Sequence, residues 1–148
     1  MGDATVDQIA SVRWAADLIK DPKWTRTRTA SRLPKESGED SFFAETLATD
    51  RTIRACLTLR PTEEIDDELA YQEIVTIVQV GDGLNGYPQI CHGGFVATML
   101  DEVCGVLIVL NTEKSAERMK ESGRAGIPTM NYMTACELRS IAVDSERR

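Results

Sequence analysis

His92-Gly93-Gly94-Phe95-Val96-Ala97-Thr98-Met99-Leu100-Asp101-Glu102 holds the strongest instruction in this chain. Two glycines ahead of an apolar run let another backbone come close at a helix start and leave amide hydrogens pointing outward. The run continues as FVATMLDEVCGVLIVL, residues 95–110, apolar nearly all round, which is the pattern of a core helix. The helix dipole adds positive potential at its amino end. A carbonyl oxygen turning into an oxyanion would be stabilised there, each well-placed donor lowering the barrier by about 3–4 kcal/mol. Asp101 lies seven residues past Gly94, two turns into this apolar helix. A buried carboxylate is costly unless hydrogen-bonded or set at a cavity, and burial raises its pKa toward the range of a general base. The plainer reading makes Asp101 and Glu102 the helix's wet face. They stand about 100° apart on a 3.6-residue helix, so one can face inward and the other outward.

Upstream, Gly81-Asp82-Gly83-Leu84-Asn85-Gly86-Tyr87-Pro88-Gln89 reads as a loop. Gly81, Gly83 and Gly86 satisfy G-x-G-x-x-G after a strand, so a dinucleotide-binding turn has to be weighed. Such a turn opens a helix within the glycine run, whereas Pro88 drives Tyr87 out of helical space. The acids Asp101 and Glu102 also fall mid-helix rather than at the end of a second strand. Before this loop, Tyr71 to Val80 is near-continuously apolar toward its end and predicts a strand buried on both faces there. Glu63 to Asp67 is an acidic connection after Pro61. In ETLATDRTIRACLTLR, residues 45–60, Ile53, Ala55, Leu57 and Leu59 fall on one side of a half-buried strand.

Val6 to Lys20 predicts one amphipathic helix, with Ile9, Val12, Trp14, Ala16 and Ile19 along a face. Thr25 to Asp40, broken by Pro34 and Gly38, reads as loop. Lys23, Arg26, Arg28, Arg32 and Lys35 cluster there; a cofactor phosphate could use them, although such clusters are ordinarily solvated. Downstream, Asn111-Thr112 is expected to end or recap the core helix. A short polar helix over about Glu113 to Glu121 and one last strand over about Thr129 to Ile141 follow.

A chain of 148 residues fits one domain with one core. The net charge of -7 disfavours nucleic acid and a polybasic grip on anionic membranes. Cys56, Cys91, Cys104 and Cys136 form no CxxC pair, and His92 is the one histidine, so no metal site is expected. Free thiols in a reducing compartment are the expected state. The amino end shows no secretory pattern. The run from Phe95 to Leu110, interrupted by Asp101-Glu102, is too short and too charged at its centre to predict a membrane span. A cytoplasmic protein is expected.

The stretch GLNGYPQICHGGFVATMLDEVCG, residues 83–105, resembles the signature of the hotdog-fold thioesterase superfamily, in its acyl-CoA thioesterase branch with an HGG turn. The nine-residue step from His92 to Asp101 is part of that likeness. TLATDRTIRACLTLR, residues 46–60, resembles fungal members, and the similarity covers about residues 45–110. The resemblance implies an α+β fold in which an antiparallel sheet wraps around one long central helix. It divides the chain into an N-terminal helical and loop extension over 1–44 and a hotdog domain over 45–148. It also implies a homodimer or larger homo-oligomer whose sites straddle the interface, and a substrate that is acyl-CoA or a carrier-bound acyl thioester, in fatty-acyl or secondary-metabolite metabolism, without metal or redox cofactor.

In that scheme the Gly93 and Gly94 amide region polarises the thioester carbonyl and Asp101 of the other protomer activates water. His92 shapes the turn and stands near the carbonyl, and as an isolated residue it reads as structural. Some members use an Asn shortly before the His, for which Asn85 is the candidate, with an Asn-Gly turn as its other reading. The hydroxyl that helps hold the water would be Thr129 or Thr134, and the choice stays open. The sequence departs from the pattern after the helix, where it offers one strand. The chain therefore reads as lacking the last strands of the sheet, and a non-catalytic remnant that dimerises or binds acyl-CoA is the competing expectation.

Overall fold

The computed structural model describes residues 3–123. It is a mixed α+β arrangement with helices on both faces of a small antiparallel sheet. Two short helices, α1 (Asp3–Ala10) and α2 (Arg13–Lys20), lead into β1 (Trp24–Thr27), β2 (Ile53–Pro61) and β3 (Val75–Val80). The sheet order is β1-β2-β3, with β2 paired antiparallel to both neighbours. A two-stranded hairpin, β4 (Asn85–Tyr87) and β5 (Ile90–Cys91), then feeds α3 (Gly93–Glu121).

Strand β2 is central and therefore buried on both faces. Ala55, Leu57 and Leu59 join Ile77, Ile9 and Ala15 in a core beneath α1 and α2. Cys56 joins Phe43, Leu47, Leu84 and Met99 on the other face, beneath the first half of α3. Ile53, which the alternation placed with Ala55, belongs to this second core. The pairing explains the switch: Ile53 faces Val80 and Ala55 faces Gln79, so Arg54 is the extra residue of a bulge that reverses the side-chain alternation. The strand also begins later than residue 45, because Phe42–Thr46 forms a single π-helical turn.

The helix predicted over Val6 to Lys20 is broken at Ser11-Val12. The Ser11 hydroxyl donates to the Gln8 carbonyl at 2.7 Å, and Val12 is extended with φ -95 and ψ 125. In one unbroken helix Ile9 and Ala15 would stand about 120° apart. The break lets both be buried against the sheet, at 4% and 1% exposure. The predicted loop from Thr25 likewise gives up its start to β1, a short edge strand whose exposed arginine discourages further pairing. Three of the five clustered cations are committed to protein partners. Lys23 pairs with Glu73 at 2.8 Å, Lys35 with Asp40, and the Arg32 guanidinium donates to the carbonyls of Phe43, Leu47 and Ile53.

Helix α3 does not end at Asn111 but continues to Glu121 as one element of 29 residues. Asn111 acts sideways instead. Its Oδ1 accepts from the Tyr71 amide at 2.9 Å, while its Nδ2 donates to the Tyr71 carbonyl at 2.9 Å and the Leu107 carbonyl at 3.1 Å. The last turns are tied to the acidic connection: Lys114 meets Glu64 at 2.8 Å, and Arg118 donates to the Asp67 and Ile65 carbonyls. The helix was expected to be buried all round, yet among its described residues only Met99, Leu107 and Asn111 are fully buried. Being longer than its apolar run, it is also long and apolar enough, by length and composition, to cross a membrane.

The candidate strand over Thr129 to Ile141, with Thr129 and Thr134, lies outside the described residues. Cys56 and Cys91 are free thiols, and Cys136 lies outside the described residues.

Replacing Asn111 by Leu keeps the volume and strands a buried amide and a buried carbonyl of Tyr71. Each such group costs about 1–3 kcal/mol, so Asn111→Leu should destabilise the fold by about 2–6 kcal/mol. Urea unfolding would show it as a lower midpoint at an unchanged slope.

Candidate functional site

The glycines of residues 81–86 serve packing. A Cβ on Gly81 would fall 2.6 Å from the Arg51 carbonyl, and one on Gly83 equally close to the same oxygen. Their amides donate to the carbonyls of Thr52 and Arg51, both at 2.7 Å. Amides used in this way are not open to a pyrophosphate, which gives the physical reason that the glycine pattern is not a dinucleotide turn. The short turn Asp82–Leu84 then delivers the chain into the β4–β5 hairpin, in the stretch that the sequence suggested was plain loop. Gln89 takes the left-handed conformation, φ 63, that the tight return requires.

The hairpin sets His92 at the amino end of α3. Its amide donates to the Leu84 carbonyl at 2.8 Å, and its backbone is extended, φ -64 and ψ 133, as a capping residue requires. The imidazole supplies the cap: Nδ1 accepts from the Gly94 amide at 2.9 Å. The ring is seated between two glycines. A Cβ on Gly86 would stand 3.4 Å from Cδ2, and one on Gly94 only 3.0 Å from Nδ1. Phe95 and Val96 donate to the His92 carbonyl at 3.0 and 3.2 Å. Of the first amides of α3, Gly93 N–H is thus the one without a partner among the described residues. The sequence reading offered Gly93 and Gly94 together as donors, and the cap takes Gly94 out of that role.

Around this turn lies an open pocket of about 280 Å³. Its wall is apolar, from Phe42, Leu47, Leu84 and Phe95, and its polar groups come from Asn85, His92 and Thr98. Thr98 spends its hydroxyl hydrogen on the Gly94 carbonyl at 3.0 Å. Of the residues singled out by sequence, Asn85, His92 and Gly94 are brought together here. Gly93 is exposed on the first turn of α3, and Asp101 is exposed two turns on, outside this lining. Asp101 is therefore not the buried carboxylate that its apolar surroundings suggested.

Its neighbour Glu102 is the inward one. It lines a narrow cleft between α3 and the sheet with Thr29, Cys56, Thr76 and Met99. Burial pushes the Glu102 carboxyl up from its ordinary value, against the opposing effect of Ser31. The buried Ser31 hydroxyl itself has no partner within hydrogen-bonding geometry among the described residues. Beside it, hydroxyls form a ladder, Thr29 to Thr58 at 2.9 Å and Thr58 to Thr76 at 3.0 Å. Burial also pushes the Cys56 thiol up to about 11, with Arg32 opposing, so Cys56 is an inert packing residue rather than a nucleophile. Among the described residues no cluster of His, Cys, Asp and Glu could hold a metal ion.

Sequence reasoning missed Phe42 and Leu47, which reach the pocket because the π-helical turn splits the Phe42-Phe43 doublet, one ring outward and one inward. The doublet was visible in the chain. The turn that divides it was not.

Glu102 carries a testable pH dependence. Its folded pKa is raised above the unfolded one, so its contribution to stability is favourable while the carboxyl is protonated and is lost as pH rises through the raised value. Glu102→Gln, neutral throughout, should melt above the parent protein at pH 7, with the difference closing as pH falls to about 4. A difference independent of pH would show that packing, not ionisation, separates the two.

No protein-family model matches the chain, and no solved structure matches it. Over 75 residues the chain is 38% identical to verlamelin biosynthesis protein B of a Lecanicillium species. The match takes in 47% of this chain and 32% of that protein, so the chain spans about a third of its relative's length.

Proposed function

We propose that the chain is an acyl-thioester hydrolase of hotdog type, acting on acyl-CoA or a carrier-bound acyl group and working as a homodimer or larger assembly. The observation that carries this reading is the convergence of Asn85, His92 and the amino end of α3 on one pocket with an apolar wall. Such a pocket suits a thioester: the apolar wall takes the acyl group while donors at the helix end take the carbonyl oxygen. Gly93 N–H is the main-chain donor left free at that helix end, with Gly93 itself outside the pocket lining. The exposure of Asp101, with Val109 on the same helix 47% exposed, fits a site completed by a second protomer. α3 is read as packing on the sheet, since Asp101 and Glu102 interrupt its apolar stretch and Asn111 holds it to Tyr71. The Lecanicillium relative, by its name a biosynthesis protein, supports a place in secondary-metabolite synthesis.

In this mechanism the Asp101 carboxylate takes a proton from water, and the oxygen attacks the thioester carbon. The carbonyl oxygen gains the negative charge opposite the helix end. The C–S bond then breaks, giving the carboxylic acid and a thiolate that takes the proton held by Asp101, which returns as the carboxylate. One observation favours a second reading, binding of an acyl thioester without hydrolysis: within a single chain Asp101 does not reach the pocket lining.

A panel of short to long acyl-CoA thioesters, followed by chromatographic measurement of released CoA, separates the two. The hydrolase reading expects turnover by the parent protein and a loss of at least about 10²-fold in Asp101→Asn at an unchanged melting temperature. Equal turnover in the two proteins would remove Asp101 from the chemistry. Saturable binding with no turnover would support the second reading.

A further inference from the structure

We infer that Met99 is the movable floor of the pocket and sets the length of acyl chain that the pocket accepts. The identity of the chain rests on the hydrolase reading, and the place of the floor rests on geometry. The polar groups from Asn85, His92 and Gly94 stand at the amino end of α3, and Phe95 and Thr98 line the pocket further along that helix. With a carbonyl at the helix end and the bulky, charged CoA left in the open mouth, the acyl chain follows the apolar wall along α3. The narrow cleft between α3 and the sheet takes up the same helix face where the pocket stops, since Met99, Val103 and Val106 follow Phe95 at helical spacing. Pocket and cleft share no lining residue, yet their apolar walls belong to one packed cluster: Leu47, Leu84 and Phe95 of the pocket with Phe43, Met99 and Val103 of the cleft. Two side chains border both spaces, each lining the cleft and each next in the chain to a lining residue of the pocket: Met99 after Thr98 and Phe43 after Phe42. Phe43 is fixed, 1% exposed, with Arg32 over its ring at 5.1 Å and bonded to its carbonyl at 2.6 Å. Met99, 8% exposed, is unbranched and changes rotamer at little cost. The cleft is too narrow to admit a water molecule, so a chain reaches Val103 and Val106 only by turning Met99 aside.

A series of 2-oxoalkyl thioethers of CoA, which keep the carbonyl and the chain and cannot be hydrolysed, reads this by calorimetry. Each methylene buried tightens binding about fourfold, so affinity should climb with chain length and level off where the pocket of the parent protein is full. Met99→Ala removes three heavy atoms from the floor, and its climb should continue for about three further methylenes. The longest thioethers should then bind about tenfold or more tighter than to the parent, while the shortest bind alike. Where Met99→Ala melts too low to be measured, Met99→Val takes its place, with a climb longer by about one methylene. Where the parent hydrolyses thioesters, the longest chain turned over should lengthen in step.

The same length profile in parent and variant overturns the inference. So does a change by one factor at every length, which would mark a general loosening of the fold rather than a floor, and so does failure of the parent to bind any member of the series. A profile that lengthens in a protein with no turnover supports the floor while the hydrolase reading falls. Turnover whose length preference ignores Met99 does the reverse.

Discussion

Burial of β2 on both faces is the constraint from which the rest of the structure follows. A strand with Ala55, Leu57 and Leu59 on one side and Cys56 and Thr58 on the other cannot be left against water on either. One face is covered by α1 and α2, which have to break apart at Ser11-Val12 to do it. The other is covered by the π-helical turn, Leu84 and the first half of α3, and the bulge at Arg54 adds Ile53 to that side. Arg32 fastens the turn in place by meeting three carbonyls at its entrance, exit and the start of β2, with its charge also over the Phe43 ring at 5.1 Å. A guanidinium has five donors in a fixed fork, which suits one cation to gathering several chain segments. The pocket is what remains open where these coverings meet.

Strong periodicity was readable and its interruptions were not. The apolar positions of β2 from Ala55 to Leu59 and the start of α3 at Gly93 follow from local pattern, which needs no knowledge of neighbours, whereas β3 begins at Val75 rather than Tyr71 and, as an edge strand, is half-buried apart from Ile77. The failures share one cause, competition from a tertiary partner. Asn111 looks like a helix stop because its amide usually bonds its own backbone; here that amide is claimed by Tyr71, and the helix runs on. Trp24–Thr27 has too little alternation to announce a strand and becomes one because Pro61 to Thr58 lie alongside. Ile53 changes face for a bulge that no pattern of four residues could reveal.

The candidate site divides along the same line. Motif reading singled out Asn85, His92, Gly93 and Gly94, since a glycine turn ahead of an apolar helix is a local feature, and the fold sets three of them around one pocket and leaves Gly93 outside its lining. It could not tell which of two adjacent acids faces inward, and the structure turns Glu102 toward the sheet and Asp101 toward solvent. Nor could it see that capping would consume one of the two amides it offered. The apolar wall came from residues 42 and 47, far from the motif, and only the fold brings them across.

The unbroken course of α3 has a consequence for how this protein can vary. Its amino end shapes the pocket and its later turns are fixed to Tyr71, Glu64, Ile65 and Asp67. Because the helix is a single rod, these two attachments are in phase with each other. Inserting or deleting one residue between Thr98 and Leu107 would rotate one end against the other by about 100°, turning either Asn111 away from Tyr71 or Phe95 away from the pocket. Length changes in this segment are therefore compatible with both attachments only when they come close to whole turns.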